Sequence, residues 1–336
     1  MFDNLAMGGR RLRAAVIGCG WIGAGESPNR EDVGIQSHAQ AYTTHARTSL
    51  TAVVDASADV AERSAVRWNA GQAFTDSVKM VQTVDPEIVS ICTPDALHAS
   101  TILTVLGSSR SLRAILAEKP LALTPGEARE VKAAADARGV ILGVNYSRRY
   151  CPAYAELRAE IESGVFGKIQ QVHGYYGKGL VHNGTHWIDL LRYLCGEISH
   201  IRALPLPVIH EDTPAISILL RNGASAILQP SNPEAFTLFE MDILAEKGRI
   251  RMLSGGLFME RYTVGPSPYF TGYTELLSSG RKDACMSDAI IYAINNMINC
   301  IDSPACYPAC AANDAIIALE LAAEAVEQFQ KFRLNQ

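Results

Sequence analysis

The chain has 336 residues, of which 48% are hydrophobic and 19% charged, with a formal net charge of −5. Such a composition belongs to a globular protein, and the length accommodates two domains with separate cores. No Lys/Arg run offers nucleic acid or anionic lipid a footprint, and no apolar run reaches the ~18 residues of a spanning helix.

Met1 to Arg13 is short and mixed, without the apolar stretch of a secretory signal, and reads as a frayed arm or a strand extension. Ala14 to Ile17 is a short, partly β-branched run suited to a strand buried on both faces. Gly18-Cys19-Gly20-Trp21-Ile22-Gly23 follows as G-x-G-x-x-G. The first glycine permits a tight turn, the second lets a pyrophosphate approach the backbone, and the third lets a helix pack on the strand. The free N–H groups and partial charge of a helix N-terminus would favour that pyrophosphate.

Leu50 to Asp55 is a second strand ending in an acid. Asp55 either receives ribose hydroxyls and repels a 2′-phosphate, which favours NAD over NADP, or caps the next helix. Thirty-one residues separate Gly23 from Asp55, where the fingerprint expects about twenty. The excess is the polar stretch Ala24–Gln36, read as an insertion that folds over the cofactor as a flap, ahead of a displaced helix from Ser37 to about Ala46.

A helix is expected over Ala58–Asn69 and a short element plus helix over Phe74–Val84. Glu87–Cys92 is a third strand, stopped by Thr93-Pro94 before a turn and a helix over Ala99–Leu106. Arg113–Ala117 is a strand ending in Glu118-Lys119-Pro120. Helix Pro125–Arg138 is stopped by Gly139, and strand Val140–Val144 follows. Strand–helix alternation of this kind makes a doubly wound parallel sheet, assigned to residues 1–145.

From Tyr146 the texture changes. After an amphipathic helix over Pro152–Ser163, alternating segments run Lys168–Tyr176, Ile201–Pro205, Thr213–Leu220, Ala224–Gln229, Leu238–Ala245, Arg249–Leu253 and Leu257–Val264. Asn222-Gly223 and Lys247-Gly248 mark hairpins, so residues 146–312 read as an open, mainly antiparallel sheet with a helix over Trp187–Leu194. Helices are expected over Asp288–Cys300 and Asn313–Phe332, the last (313–332) returning to the first domain. The eight scattered cysteines, with C-x5-C-x3-C at Cys300, Cys306 and Cys310, have poor zinc spacing and read as small hydrophobes in a reducing cytoplasm.

Three clusters can carry chemistry. Lys119, at the carboxyl end of a parallel strand, can hold a substrate hydroxyl and exchange its proton, or is a surface lysine beside a loop proline. In His182-Asn-Gly-Thr-His-Trp-Ile-Asp189, His186 and Asp189 lie a turn apart near a helix start, as a general base with its carboxylate, or as a satisfied core histidine or a helix-start aspartate helping the dipole. His182 and His186 could ligate a metal, but no third ligand is evident. Arg148 and Arg149 either meet an anion or pin the domains together, and Lys178 is a weaker candidate.

Taken in order, these motifs resemble the Gfo/Idh/MocA oxidoreductases, the glucose–fructose oxidoreductase and inositol dehydrogenase family. The likeness rests on Val16–Gly23, Asp55, Ile91-Cys-Thr-Pro94 with His98, Glu118-Lys119-Pro120, Asn145 to Arg149, Gly184 to Asp189, Asp242 to Arg251 and Ala315–Ala322. It implies an α/β Rossmann domain and a half-open antiparallel α+β domain, NAD as cofactor, and oxidation or reduction of a sugar or cyclitol hydroxyl. The implied cofactor contacts are Gly18 to Gly23, Asp55, Thr93, Pro94, His98, Glu118 and Asn145. Lys119 corresponds to the family's strand-end lysine and His186 to its catalytic histidine, while Arg148, Arg149, Lys178, His182 and Asp189 fall on the substrate side.

Two departures stand out: many members carry aspartate where this chain has His182, and the Tyr176–His186 segment is short. The expectation is a carbohydrate or sugar-nucleotide dehydrogenase, cytoplasmic and a homodimer or homotetramer, with no nucleic-acid or membrane partner. Its rivals are a glycoside-cleaving enzyme using NAD transiently and a non-catalytic NAD-binding sensor.

Overall fold

The structure is a computed structural model describing residues 10–25, 34–206 and 213–334. Most of the N-terminal arm, and the part of the 24–36 insertion expected to form a flap, lie outside the described residues. The chain divides into two compact units, one of Met1–Tyr150 with Ser287–Ile316, the other of Cys151–Met286 with Ile317–Gln336.

In the first unit six strands, β1 (Leu12–Ile17), β2 (Thr48–Val54), β3 (Gln72–Phe74), β4 (Ile88–Ile91), β5 (Ala114–Ala117) and β6 (Ile141–Val144), are all parallel. Their order, β3-β2-β1-β4-β5-β6, is the doubly wound one. Every residue of β4 and β5 is buried, as their near-continuous apolar runs, broken only by Ser90, require of strands covered on both faces. The helices between them are α1 (Trp21–Ala24), α2 (His38–Thr44), α3 (Ala58–Arg67), α4 (Ser77–Val84), α5 (His98–Ser108) and α6 (Pro125–Ala137). Polar side chains set their starts. Ser37, Ser57 and Asp76 accept the N–H three residues on, and Thr124 with Glu127 forms a capping box before Pro125.

The second unit opens with α7 (Pro152–Glu162). Its sheet is built from β7 (Ile169–Tyr176), β8 (Ile198–Ala203), β9 (Ile216–Leu220), β10 (Ser225–Pro230), β11 (Glu240–Ala245), β12 (Gly248–Leu253), β13 (Phe258–Pro266) and β14 (Thr274–Asp283), with α8 (Thr185–Cys195) after β7. The order is β14-β13-β12-β11-β7-β10-β9-β8, antiparallel throughout except where β10 runs parallel to β7. Both expected hairpins form, joining β9 to β10 and β11 to β12. β14 was not foreseen from the sequence: its mostly exposed edge position leaves no apolar alternation to read.

Two helices follow, α9 (Ala289–Asp302) and α10 (Ala312–Leu334). The expected domain limits differ from these units in three places. The first unit runs on past residue 145 to Tyr150, because the turn Ser147–Tyr150 is fastened to it: the Tyr150 hydroxyl donates to the carbonyls of Val144 (3.1 Å) and Cys310 (3.3 Å). α9 belongs to the first unit rather than to residues 146–312. Met297 packs closely on β6, its sulfur lying 2.5 Å from where a Cβ on Gly143 would stand. α10 contributes only its opening turn to the first unit. From Ile317 it groups with the second unit, where Gln328 accepts from the Ala203 N–H (3.0 Å) and donates to the Ile201 carbonyl (3.2 Å).

Candidate active site

The carboxyl ends of the parallel strands gather Gly18, Asp55, Thr93, Glu118 and Asn145 along one edge of the first sheet, with the order reversing between β1 and β4. Open α/β sheets bind ligands in the crevice at that reversal. Gly18 has φ +94°, and a Cβ there would lie 2.4 Å from the Cys92 carbonyl oxygen. A Cβ on Gly23 would lie 1.8 Å from the Gly18 carbonyl oxygen, whereas one on Gly20 would meet nothing within 4 Å. The outer glycines are therefore needed for packing, and the middle one faces open space. Cys19 is buried, with its thiol on the Val54 carbonyl.

α1 is a single turn, ended by Gly25 in the left-handed region and tied by Trp68, whose indole N–H donates to the Ala24 carbonyl (2.6 Å). So short a helix, carrying Trp21 and Ile22, supplies less aligned dipole than the sequence reading supposed. The displaced helix does form, as α2 from His38. Asp55 is half-buried and accepts from the backbone N–H groups of Cys19 (2.9 Å) and Ser57 (3.0 Å). Ser57, not Asp55, is the cap of α3.

Glu118 at the tip of β5 is the most elaborately held group. One carboxylate oxygen accepts from Asn145 Nδ2 (2.7 Å) and lies 3.1 Å from His38 Nε2; the other accepts from the Lys119 N–H (3.3 Å). The other ring nitrogen of His38 is 2.8 Å from Ser90 Oγ, itself 2.9 Å from the Tyr42 hydroxyl. Burial pushes the Glu118 carboxyl up, but the hydrogen bonds from His38 and Asn145 and the positive charge of Lys119 outweigh it and hold the group below its ordinary range. Lys119 is half-buried, and its bond to Pro120 is cis.

His98 is buried, with Nδ1 2.6 Å from the Pro120 carbonyl and Nε2 2.7 Å from the Thr93 carbonyl. Both nitrogens face carbonyls of the loops after β4 and β5, so His98 sits wedged between those loops and its N–H donates to one of them. Two polar atoms at the same edge, Thr93 Oγ1 and Asn145 Oδ1, are buried without a hydrogen-bond partner. Buried polar atoms are nearly always paired, so both can take a hydrogen bond with a ligand at this edge. Pro94 is exposed beside them.

In the second unit α8 carries the histidine cluster. A wide helical turn, Leu180–Gly184, runs directly into it, and the Thr185 hydroxyl donates back to the Val181 carbonyl (2.8 Å). Gly184 lets Leu180 pack closely, since a Cβ there would lie 2.5 Å from a Leu180 methyl. Trp187 is fully buried across β7, where only Gly174 leaves room, and its indole N–H donates to the Glu240 carbonyl (3.1 Å). That anchor presents His186, half-buried and edge-on to Phe239 at 6.2 Å, and leaves His182 exposed; Asp189 is buried. Among the described residues, no group of three or more His, Cys, Asp or Glu is arranged to hold a metal.

The arginines separate. Arg149 is buried, paired with Asp314 (3.4 Å) and donating to the Ala309 carbonyl (3.4 Å), so it pins the first unit internally rather than the two domains together or an anion to either. Arg148 is half-buried and Lys178 is exposed at φ +59°. Sequence reading missed His38, Tyr42 and Ser90 altogether. A polar histidine just inside a capped helix, and a lone serine in an otherwise apolar strand, were the available signals.

The edge therefore fits a dinucleotide: a glycine turn cleared at its middle residue, an acid at the second strand, and two orphaned polar atoms. Comparison with known proteins agrees. Residues 12–146 match the family described as "Oxidoreductase family, NAD-binding Rossmann fold". The chain is 30% identical over 212 residues to D-glucoside 3-dehydrogenase of Escherichia coli (strain K12), and 28% identical over 205 residues to inositol 2-dehydrogenase 4 of Saccharopolyspora erythraea. Each alignment covers 57% of this chain and 56% of the relative, so the match spans little more than half of either protein. Among solved structures, UDP-N-acetylglucosamine 3-dehydrogenase from Acidithiobacillus ferrooxidans superposes with a TM-score of 0.74 at 19% identity, covering 96% of this chain and 99% of that one. Levoglucosan dehydrogenase in complex with NADH gives 0.76 at 20% identity, covering 96% and 98%. At such identities the likeness is one of fold. No helix among the described residues is long and apolar enough to cross a membrane. Residues 12–146 match the GFO_IDH_MocA family model, that of an oxidoreductase family with an NAD-binding Rossmann fold.

Proposed function

We propose that the protein is an NAD-dependent oxidoreductase acting on a hydroxyl-bearing carbon of a sugar, cyclitol or sugar nucleotide. The observation that carries this reading is a lysine at a parallel strand tip, beside a fixed carboxylate, on an edge cleared for a dinucleotide. The sugar and cyclitol dehydrogenases among its relatives support the substrate class.

NAD, when bound, supplies the hydride acceptor. The turn Gly18–Gly23 receives its pyrophosphate, and Asp55 accepts ribose hydroxyls and disfavours a 2′-phosphate. Thr93 Oγ1, Asn145 Oδ1 and the remaining acceptor position of Glu118 offer further polar contacts. Lys119 holds the substrate hydroxyl and exchanges its proton; His186 is the second proton-transfer group, with His182 in place of the aspartate seen in many relatives. Arg148 and Lys178 are left as anchors for an anionic substrate, Arg149 being committed elsewhere.

The test is a screen of glucosides, inositols and sugar nucleotides for NADH formation by the full chain. In the Lys119→Met variant turnover falls about a hundredfold or more while NADH binding stays near that of the parent. Turnover within about tenfold of the parent, less than loss of a general acid–base group costs, would rule out the lysine's role.

A further inference from the structure

The polar atoms behind Glu118 form a chain with a direction. Tyr42, Ser90 and His38 are each fully buried, and among them they have three places to put a proton and three acceptors to receive one. Carboxylate oxygens accept, so the proton between His38 and Glu118 belongs on Nε2. With Nδ1 unprotonated, the Ser90 hydroxyl donates to it and the Tyr42 hydroxyl donates to Ser90, and every atom is satisfied. If Nδ1 also carried a proton it would point at Ser90 Oγ, and one of the two buried hydroxyls would then lack an acceptor, which native interiors avoid.

We propose that His38 is a positioning residue, fixed by Tyr42 and Ser90 as the Nε2–H tautomer, that keeps Glu118 aligned as an acceptor for the bound cofactor. The proposal rests on the NAD reading above and adds a residue to it. His38 and Asn145 fill one oxygen of the carboxylate and the Lys119 N–H takes part of the other, so the remaining acceptor position on that second oxygen has a fixed direction.

Two measurements on the full chain test it. Nitrogen-15 NMR of the imidazole rings, with His38 identified by the resonance lost in His38→Gln, is expected to show one protonated nitrogen, Nε2. A ring protonated on Nδ1, alone or as well, overturns the proposal, and this result does not depend on any cofactor. The second is NADH affinity by fluorescence. His38→Ala is expected to weaken it about tenfold or more, the worth of a hydrogen bond to a charged group. His38→Gln, whose amide can donate to Glu118 and accept from Ser90, is expected to restore it. Equal loss in both variants, or none in either, means His38 only fills space. A parent protein that binds no NADH at all sinks the oxidoreductase reading instead, and leaves the tautomer result standing.

Discussion

Glu118 and Lys119 stand on the tip of β5, and His182 and His186 on the start of α8. The first pair is held by polar bonds: His38 and Asn145 fix Glu118, and His98 ties the Lys119–Pro120 loop to the end of β4. The second pair is held by shape. Trp187 lies flat in the space that Gly174 leaves on β7, and α8 is buried along almost its whole length. A strand tip projects its side chains into a loop region where packing is thin, so hydrogen bonds must set their direction. A helix sunk against a sheet inherits its orientation from apolar contact, and polar fixing adds little. The two halves should therefore fail differently.

The largest effect should come from breaking the packed half. Trp187→Ala removes a fully buried indole and is expected to lower unfolding free energy by about 3–5 kcal/mol in denaturant titrations. NADH binding by the folded fraction should not change; if it fell with stability, the two units would not be the independent supports supposed here. A smaller effect is expected from Asp55→Ala, which deprives two backbone N–H groups of their acceptor and, on the proposed NAD reading, the ribose of its own. NAD affinity should drop about tenfold while the preference over NADP narrows, as expected for a charged hydrogen-bonding partner. An unchanged preference in paired titrations would reduce Asp55 to a turn-former.

The smallest effect lies at the opposite end of the parallel sheet and serves as a control. Burial pushes the Asp85 carboxyl up, but hydrogen bonds from Ser111, Arg110 and Ser109 outweigh it and bring it from 3.8 down to about 2. A carboxyl lowered by folding stabilises the protein above its ordinary value, and that contribution is lost as pH falls through about 2. Asp85→Asn should cost stability at neutral pH, with the gap to the parent closing on acidification and NADH binding untouched at every pH. A gap that persists unchanged in acid would mean the carboxylate's charge plays no part.

Much of this was legible in the sequence because burial leaves a simple trace. The parallel strands show as short apolar runs, and their tips mark Gly18, Asp55 and Lys119 without further information. What escaped depends on partners distant in the chain. Nothing near Arg149 announces Asp314, and nothing near Glu118 announces a histidine displaced past the 24–36 insertion. β14 escaped for the opposite reason, since an exposed edge strand is free to be polar. The last helix was read correctly as a helix but assigned to the first domain, whereas from Ile317 its partners are in the second unit, as Gln328 on the edge of β8 shows.

His98 has the last consequence. Its ring sits between two loop carbonyls, those of Thr93 and Pro120, and so couples the loop after β4 to the loop that carries Lys119. A shift of either loop is passed to the other, so the stance of Lys119 follows that of Thr93.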